Sequence, residues 1–103
     1  MKIRYQIIYW RDIPARIKIR NGRERMSKAL PPRFKETINR AAFRAKAISG
    51  DAYLEAWCST GWVEREGDAH AIAGELLQEL EARYDSDKLD QLARNKGYDS
   101  KSN

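Results

Sequence analysis

The chain has 103 residues and carries 20 Lys and Arg side chains against 15 Asp and Glu, which gives a net charge of +5. This length is typical of one domain, and no apolar run approaches the roughly 20 residues that a membrane span needs. One cysteine and one histidine exclude an internal disulfide framework and a structural zinc site. Because the N-terminus lacks a signal-peptide pattern, we expect a cytoplasmic protein.

The charge is distributed unevenly along the chain. Residues 1–50 contain 14 basic and 3 acidic side chains, whereas residues 51–103 contain 6 basic and 12 acidic ones. The first part therefore carries +11 and the second −6. Two interpretations are open: the basic and acidic parts pair with each other or are solvated, or the basic part binds nucleic acid or an acidic partner protein.

The N-terminal region predicts an antiparallel β-hairpin. Residues 2–10 alternate in the two-residue period of a strand, and residues 15–20 do the same after a connection at 11–14. The dipeptide Asn21-Gly22 favours a turn after the second strand. The side chains expected to face the core are Ile3, Tyr5, Ile7, Tyr9, Ala15, Ile17 and Ile19. The opposite face of the hairpin is therefore expected to be basic.

Two amphipathic helices are predicted further along, at about 32–48 and 69–84. Their apolar residues recur at steps of three and four, which places them on one stripe of each helix. A shorter helix is predicted at 23–29, ending before Pro31-Pro32. The two stripes consist of Phe34, Ile38, Ala41, Ala42, Ala45 and Ile48, and of Ile72, Ala73, Leu76, Leu77, Leu80 and Tyr84.

A third strand is predicted at 52–58. Residues 62–66 are either a fourth strand in a hairpin, which we favour, or a continuation of the third. The order ββαββα predicts an α+β two-layer sandwich over residues 1–84, in which two helices cover one face of an antiparallel sheet of three to four strands. Residues 85–103 are polar and are expected to form a weakly structured or disordered tail, with at most one helical turn within 85–94.

Catalytic chemistry has few candidate residues. Cys58 and His70 are the only candidates for a nucleophile–base pair. Alternation places Cys58 with Leu54 and Ala56 on an apolar face, where a thiol behaves as a small hydrophobe, and His70 is expected to be exposed in the first turn of a helix. The glycines are scattered, so no phosphate-binding loop is predicted. We therefore expect no enzymatic activity, no cofactor and no metal.

Aromatic side chains offer a stronger signal than catalytic ones. Trp10 and Trp57 are expected on the strand faces opposite the core, with Tyr53 beside Trp57. Cationic side chains lie on or near the same face: Arg11, Arg16, Lys18 and Arg20. The chain itself can cover these tryptophans, for instance with residues 85–94. Alternatively they anchor a partner protein or stack on single-stranded nucleic acid.

Three segments carry a family resemblance. They are Tyr5 to Ala15 (YQIIYWRDIPA), Leu30 to Phe34 (LPPRF) and Asp51 to Trp57 (DAYLEAW). Through them the chain resembles the small bacterial proteins of the "virulence factor" family, and also part of the staphylococcal conserved virulence factor C.

The resemblance implies no established reaction or ligand. It implies an accessory role, because free-standing members look like companions of one-carbon and methyltransferase genes. It also singles out a distinctive set of residues: Tyr9, Trp10, Asp12, Pro14, Tyr53 and Trp57. The alternative for Asp12 and Pro14 is that they only fix the hairpin turn, with Asp12 accepting local backbone hydrogen bonds.

The leading functional prediction is a non-enzymatic adaptor domain that binds a partner protein through an aromatic and basic sheet face. The residues predicted to bind are Tyr9, Trp10, Arg11, Asp12, Arg16, Lys18, Arg20, Tyr53 and Trp57. The partner could also be a second copy of the chain. Two more hypotheses compete with this prediction: nucleic-acid binding by the basic region, and an accessory role in one-carbon or methyltransferase metabolism. No membrane association is expected.

Overall fold

One antiparallel sheet organises the computed structural model, which describes residues 2–47 and 50–99. Within these residues its strands are β1 (Lys2–Trp10), β2 (Ile13–Asn21), β3 (Glu24–Ala29), β4 (Trp57–Ser59) and β5 (Val63–Glu66). β1 is central, with β2 along one side and β4 and β5 one after the other along the opposite side. β3 pairs with the outer edge of β2. The predicted α+β class with an antiparallel sheet is confirmed.

The β1–β2 hairpin has the alternation that was predicted. Its register places Ile7 opposite Ile17 and Tyr5 opposite Ile19, so that apolar side chains of both strands share the core face. Ile17 and Ile19 are buried. The register shifts between Ile8 and Tyr9, and β2 starts earlier than predicted, so that only residues 11–12 connect the two strands.

Residues 24–29 form a strand, so the helix predicted at 23–29 is wrong. Gly22 adopts a φ of +63°, which permits the tight turn that returns the chain along β2. The pairing then runs from Asn21 opposite Glu24 to Arg16 opposite Ala29. Backbone hydrogen bonds to the free edge of β2 outweigh the weak helical preference of this short segment.

The segment after residue 50 also differs from its prediction. Gly50–Glu55 forms a short helix, α2, so only residues 57 and 58 of the predicted strand at 52–58 lie in a strand, which extends to Ser59. β4 and β5 both pair with β1 in the same direction, so the predicted hairpin is wrong and the alternative, a continuation, is correct. Thr60 bridges the interruption, because its Oγ1 accepts a hydrogen bond from the backbone N–H of Ile7 at 3.0 Å.

Helices cover the apolar face of the sheet. The two long helices are α1 (Pro32–Arg44) and α3 (Ala69–Arg83), and both pack against β2. They confirm the two predicted amphipathic helices. α1 ends before the predicted residue 48, which lies outside the described residues. No helix in the described ranges is long and apolar enough to cross a membrane.

The region after α3 is more ordered than predicted. Ser86–Arg94 forms a helix, α4, which packs against α1, so the prediction of a weakly structured tail is wrong for these residues. Asp85 caps the helix by accepting a hydrogen bond from the backbone N–H of Lys88 at 2.9 Å. Its buried side chains are Leu89, Leu92 and Ala93, which are spaced to share one face. Residues 100–103 of the predicted tail lie outside the described residues.

Candidate binding surface

The second face of the sheet presents a row of basic side chains to solvent. Arg16, Lys18 and Arg20 alternate with the buried isoleucines of β2 and are exposed. Residues directly opposite on neighbouring strands project to the same face, which adds Gln6 of β1 and Arg25 and Ser27 of β3. Arg4 lies opposite Arg20 as well, but it forms an ion pair with Glu64 at 3.8 Å and is not counted with the unpaired cations. We define the open face as Gln6, Arg16, Lys18, Arg20, Arg25, Ser27 and Trp62.

Two arginines of the open face have neutral partners that hold their guanidinium groups. Nη1 of Arg16 donates a hydrogen bond to Oγ of Ser27 at 2.7 Å. The Cζ atom of Arg20 lies 4.8 Å from the ring centroid of Trp62, which is within the range of a cation–π contact. Trp62 is nevertheless 39% exposed. The face therefore offers positioned cations and an accessible indole.

No carboxylate neutralises these cations within residues 2–47 and 50–99, where the lysine and three arginines of the open face form no ion pair. Elsewhere, basic side chains of the first half do pair with acidic side chains of the second half: Arg33 lies 3.4 Å from Glu81, and Arg40 lies 2.8 Å from Asp90. Ion pairing between the two parts of the chain therefore occurs at the helices, whereas the basic side chains of the open face are solvated and have no acidic partner among the described residues.

A shallow hollow of about 350 Å³ lies in the open face. It is lined by Gln6, Lys18, Ile19, Arg20, Arg25, Met26, Ser27 and Trp62. None of these residues is acidic, so the hollow favours negatively charged groups.

Trp10 does not lie on this surface. Its side chain is 0% exposed and belongs to the core, so the prediction that it faces outward is wrong. The chain itself covers it, as the competing interpretation held. The indole N–H donates a hydrogen bond to the carbonyl of Tyr53 in α2 at 3.1 Å, and Gly97 packs against the ring. Part of the cover therefore comes from α2 and from Gly97 beyond α4, and Trp10 shares its core cluster with Leu89 and Leu92 of the predicted segment 85–94.

Arg11 is also used within the molecule. It adopts a φ of +54°, and its guanidinium carbon lies 4.9 Å from the ring centroid of Trp10 and 4.7 Å from that of Tyr98. Its Nη1 donates a hydrogen bond to the carbonyl of Lys96 at 2.7 Å. Arg11 therefore fastens residues 95–99, which we call the C-terminal segment, to the end of the sheet.

Asp12 fastens the same segment. Its backbone N–H donates to the carbonyl of Gly97 at 2.9 Å, and its Oδ2 accepts from the backbone N–H of Asp99 at 2.7 Å. Its carboxylate thus binds a distant part of the chain, whereas the alternative prediction was that it accepts local backbone hydrogen bonds in the turn. Trp10, Arg11 and Asp12 therefore all contact the C-terminal segment and attach it to the turn between β1 and β2.

Tyr9 points toward the end of α3 and not toward the basic surface. It is half-buried, and this burial raises the pKa of Tyr9 to about 12, with the neighbouring Tyr84 hydroxyl adding to the effect. Burial raises the pKa of Tyr84 as well. Both phenols therefore stay protonated at neutral pH, where they serve as hydrogen-bonding groups.

Tyr53 and Trp57 form a second accessible feature. Their rings meet edge to face with centroids 6.0 Å apart, and Trp57 is 36% exposed. Together with Arg16 they line a hollow of about 400 Å³, which we call the Trp57 cavity. Its other lining residues are Ala15, Ala29, Leu30, Pro32, Lys35, Ile38 and Asn39.

The structure thus divides the predicted binding residues into two groups. Arg16, Lys18, Arg20, Tyr53 and Trp57 remain accessible on the open face or in the Trp57 cavity, whereas Tyr9, Trp10, Arg11 and Asp12 make internal contacts. The predicted binding residues did not include Gln6, Arg25, Ser27 and Trp62 of the open face or Lys35 of the Trp57 cavity. Arg25 and Ser27 had a usable signal, since the alternation of 24–29 places both on one face, beside Arg20 and Lys18.

The catalytic candidates lie apart from these features. Cys58 is exposed, which contradicts its predicted place on a buried apolar face, because the helical α2 breaks the strand alternation on which that prediction depended. Its Sγ donates to the carbonyl of Arg11 at 3.7 Å. His70 is exposed in the first turn of α3, as predicted. No hydrogen bond joins the two among the described residues, which also contain no group of three side chains that could hold a metal ion.

A protein-family model described as "Virulence factor" matches residues 8–93, from the second half of β1 to the end of α4. No curated protein and no solved structure matches the chain.

Proposed function

Since the chain belongs to the virulence factor family, whose name specifies no chemistry, we propose from the geometry that it is a non-enzymatic binding module that docks an acidic partner protein on the open face. The observation that carries this proposal is the set of four cations, Arg16, Lys18, Arg20 and Arg25, for which the described residues supply no carboxylate. The cytoplasm suits such a module, because it would keep the exposed thiol of Cys58 reduced.

The spacing of the cations favours a protein surface that presents carboxylates in a row. Alternate residues of a strand lie about 6.6–6.8 Å apart, so Arg16, Lys18 and Arg20 form a straight line of positive charge. A guanidinium group can bind a carboxylate through two parallel hydrogen bonds. Because the Arg16 and Arg20 groups are already held by Ser27 and Trp62, less side-chain entropy is lost when they bind.

The aromatic side chain gives the face an anchor as well as charge. Trp, Tyr and Arg are the residues that most often dominate binding energies at protein interfaces. Trp62 is accessible and lies in contact with Arg20. The charged groups of the face are arginines and a lysine, which only donate hydrogen bonds, so the face suits the recognition of acceptors such as carboxylates.

The test is charge reversal on the face. The full-length protein is immobilised, and partner proteins are captured from a nuclease-treated lysate of the source cells. We expect Lys18→Glu to weaken capture by about tenfold or more, because like charges placed in contact are strongly unfavourable. Lys46→Glu is the matched control, since Lys46 is exposed but lines a different hollow. Equal capture by Lys18→Glu and the unmodified protein would refute this proposal.

A photo-crosslinking residue at Ser27 identifies the captured protein directly. The proposal expects an acidic crosslinked protein and a yield that falls as salt is raised, since exposed charges are screened. A crosslink to a second copy of this chain would instead indicate self-association.

Single-stranded nucleic acid is the second candidate ligand of the same face. The observation that favours it is the Arg20–Trp62 contact on an uncovered sheet, because aromatic rings interleaved with cations suit base stacking and phosphate binding. Fluorescence anisotropy with a labelled strand of about 20 nucleotides tests it, and binding should fall steeply with salt and with Trp62→Ala. No binding at about 50 mM salt would eliminate this candidate.

A further inference from the structure

We propose that the Trp57 cavity binds a small planar aromatic anion, a ligand that combines one or two fused rings with a carboxylate. This inference does not depend on the proposed function, because the cavity lies beside the open face and shares only Arg16 with it.

The size and walls of the cavity fit a ring system. Its volume of about 400 Å³ is within the range of small-molecule sites, which are mostly apolar with a few polar groups. The apolar part of the lining comes from β2, from the end of β3 and from α1: Ala15, Ala29, Leu30, Pro32 and Ile38. These elements belong to the packed sheet–helix unit, so the walls are formed before a ligand arrives.

Trp57 is positioned to contact a ligand ring. It is 36% exposed, and the Tyr53 ring meets it edge to face at 6.0 Å. Tyr53 is in turn 5.9 Å from the buried ring of Trp10, whose indole N–H donates to the Tyr53 carbonyl. The indole of Trp57 is therefore held in place by ring contacts that lead through Tyr53 to Trp10 in the core. A ligand ring can stack on this indole without displacing it.

The charge of the cavity selects an anion. Arg16 and Lys35 line it, and no lining residue is acidic. Arg16 uses one N–H on Ser27, which leaves the rest of its five donors for a ligand. Lys35 forms no ion pair with any described residue. A carboxylate between these groups would be recognised while its ring contacts Trp57.

The experiment is a titration of the full-length ¹⁵N-labelled protein with 2-naphthoate, followed by NMR shifts of the Trp57 indole N–H and of the Ala29 amide. Naphthalene-2-methanol and 2-naphthylmethylamine are the neutral and cationic probes of the same shape. We expect saturable shifts with 2-naphthoate and binding at least about tenfold weaker for the other two, since one charge-assisted hydrogen bond accounts for about that ratio.

Substitutions inside and outside the Trp57 cavity distinguish binding in the cavity from a general attraction of the anion to the positively charged protein. Arg16→Gln and Lys35→Gln should each weaken 2-naphthoate binding about tenfold. Arg20→Gln removes the same charge on the open face and should change it by less than about twofold. Trp57→Leu should abolish binding, and its spectrum shows whether the fold is retained; if it is not, Trp57→Phe replaces it and should weaken binding.

Three outcomes would overturn the proposal: equal binding of the neutral alcohol, an equal effect of Arg20→Gln, or no saturation below about 10 mM. The two proposals can fail separately, because Lys35 lies outside the open face. Lys35→Gln should therefore weaken 2-naphthoate binding and leave capture of the partner protein unchanged.

Discussion

Replacing Gly97 with alanine tests how tightly the C-terminal segment closes over Trp10. Gly97 has a φ of +92°, and a Cβ atom there would lie 2.9 Å from Cζ3 of Trp10 and 3.2 Å from Cδ of Arg11. The left-handed backbone costs an alanine about 1–2 kcal/mol. Crowding a fully buried ring costs about 1–3 kcal/mol more. We therefore expect Gly97→Ala to lower the free energy of unfolding by about 2–5 kcal/mol, a large part of the total for a domain of this size.

Urea unfolding followed by circular dichroism measures this loss, and Gly22→Ala is the matched control. Gly22 also has a positive φ, +63°, but no atom lies within 4 Å of a Cβ placed there. The control should therefore lose only the backbone contribution of about 1–2 kcal/mol. If both variants lost the same free energy, Gly97 would not press against Trp10, and our account of how Trp10 is covered would be refuted.

Three further predictions concern the same end of the molecule. Leu92→Ala should lower the free energy of unfolding by about 2–5 kcal/mol in urea, because Leu92 is fully buried in α4; a loss below about 1 kcal/mol would show that α4 is peripheral. Burial raises the pKa of Tyr9 to about 12 from 10.0, so the unfolded chain loses the phenol proton at a lower pH than the folded protein does. The urea concentration at the unfolding midpoint should therefore fall as the pH rises from about 10 to about 12, and it should fall less steeply in Tyr9→Phe. Asp12→Ala should lower the free energy of unfolding by about 0.5–1.5 kcal/mol. It should also speed hydrogen exchange of the Asp99 backbone amide, because the substitution removes the acceptor of that N–H. An unchanged exchange rate would contradict the hydrogen bond between Asp12 and Asp99.

Sequence patterns predicted the elements whose periodicity is long and unmixed. β2 alternates from Ala15 to Arg20, and α1 and α3 carry apolar stripes of several turns, so the type of each of these elements was predicted correctly although β2 starts earlier and α1 ends earlier than predicted. The short segments failed because six or seven residues fit either period. Residues 23–29 were predicted as a helix because the free edge of β2 was not considered, and residues 52–58 were predicted as a strand although residues 50–55 are helical.

The candidate site was predictable only in part, for a related reason. The basic row of β2 follows from alternation alone, and it is exposed as expected. The burial of Trp10 depends on contacts with Tyr53 and Gly97, which are 43 and 87 positions away, and no local pattern carries that information. Lys35 reaches the Trp57 cavity only because α1 lies beside the end of β3.

The hydrogen bonds of Arg11 and Asp12 span 85 and 87 positions of the chain. A folding chain must therefore close a loop of nearly its whole described length before this corner is complete, and the entropic penalty of such closure rises with the logarithm of the loop length. Contacts of this range slow folding in general, so the corner is expected to form late, after the local hairpins and helices. During synthesis, the turn between β1 and β2 must wait for residues 96–99 to emerge from the ribosome, and until then Trp10 is left without part of its cover.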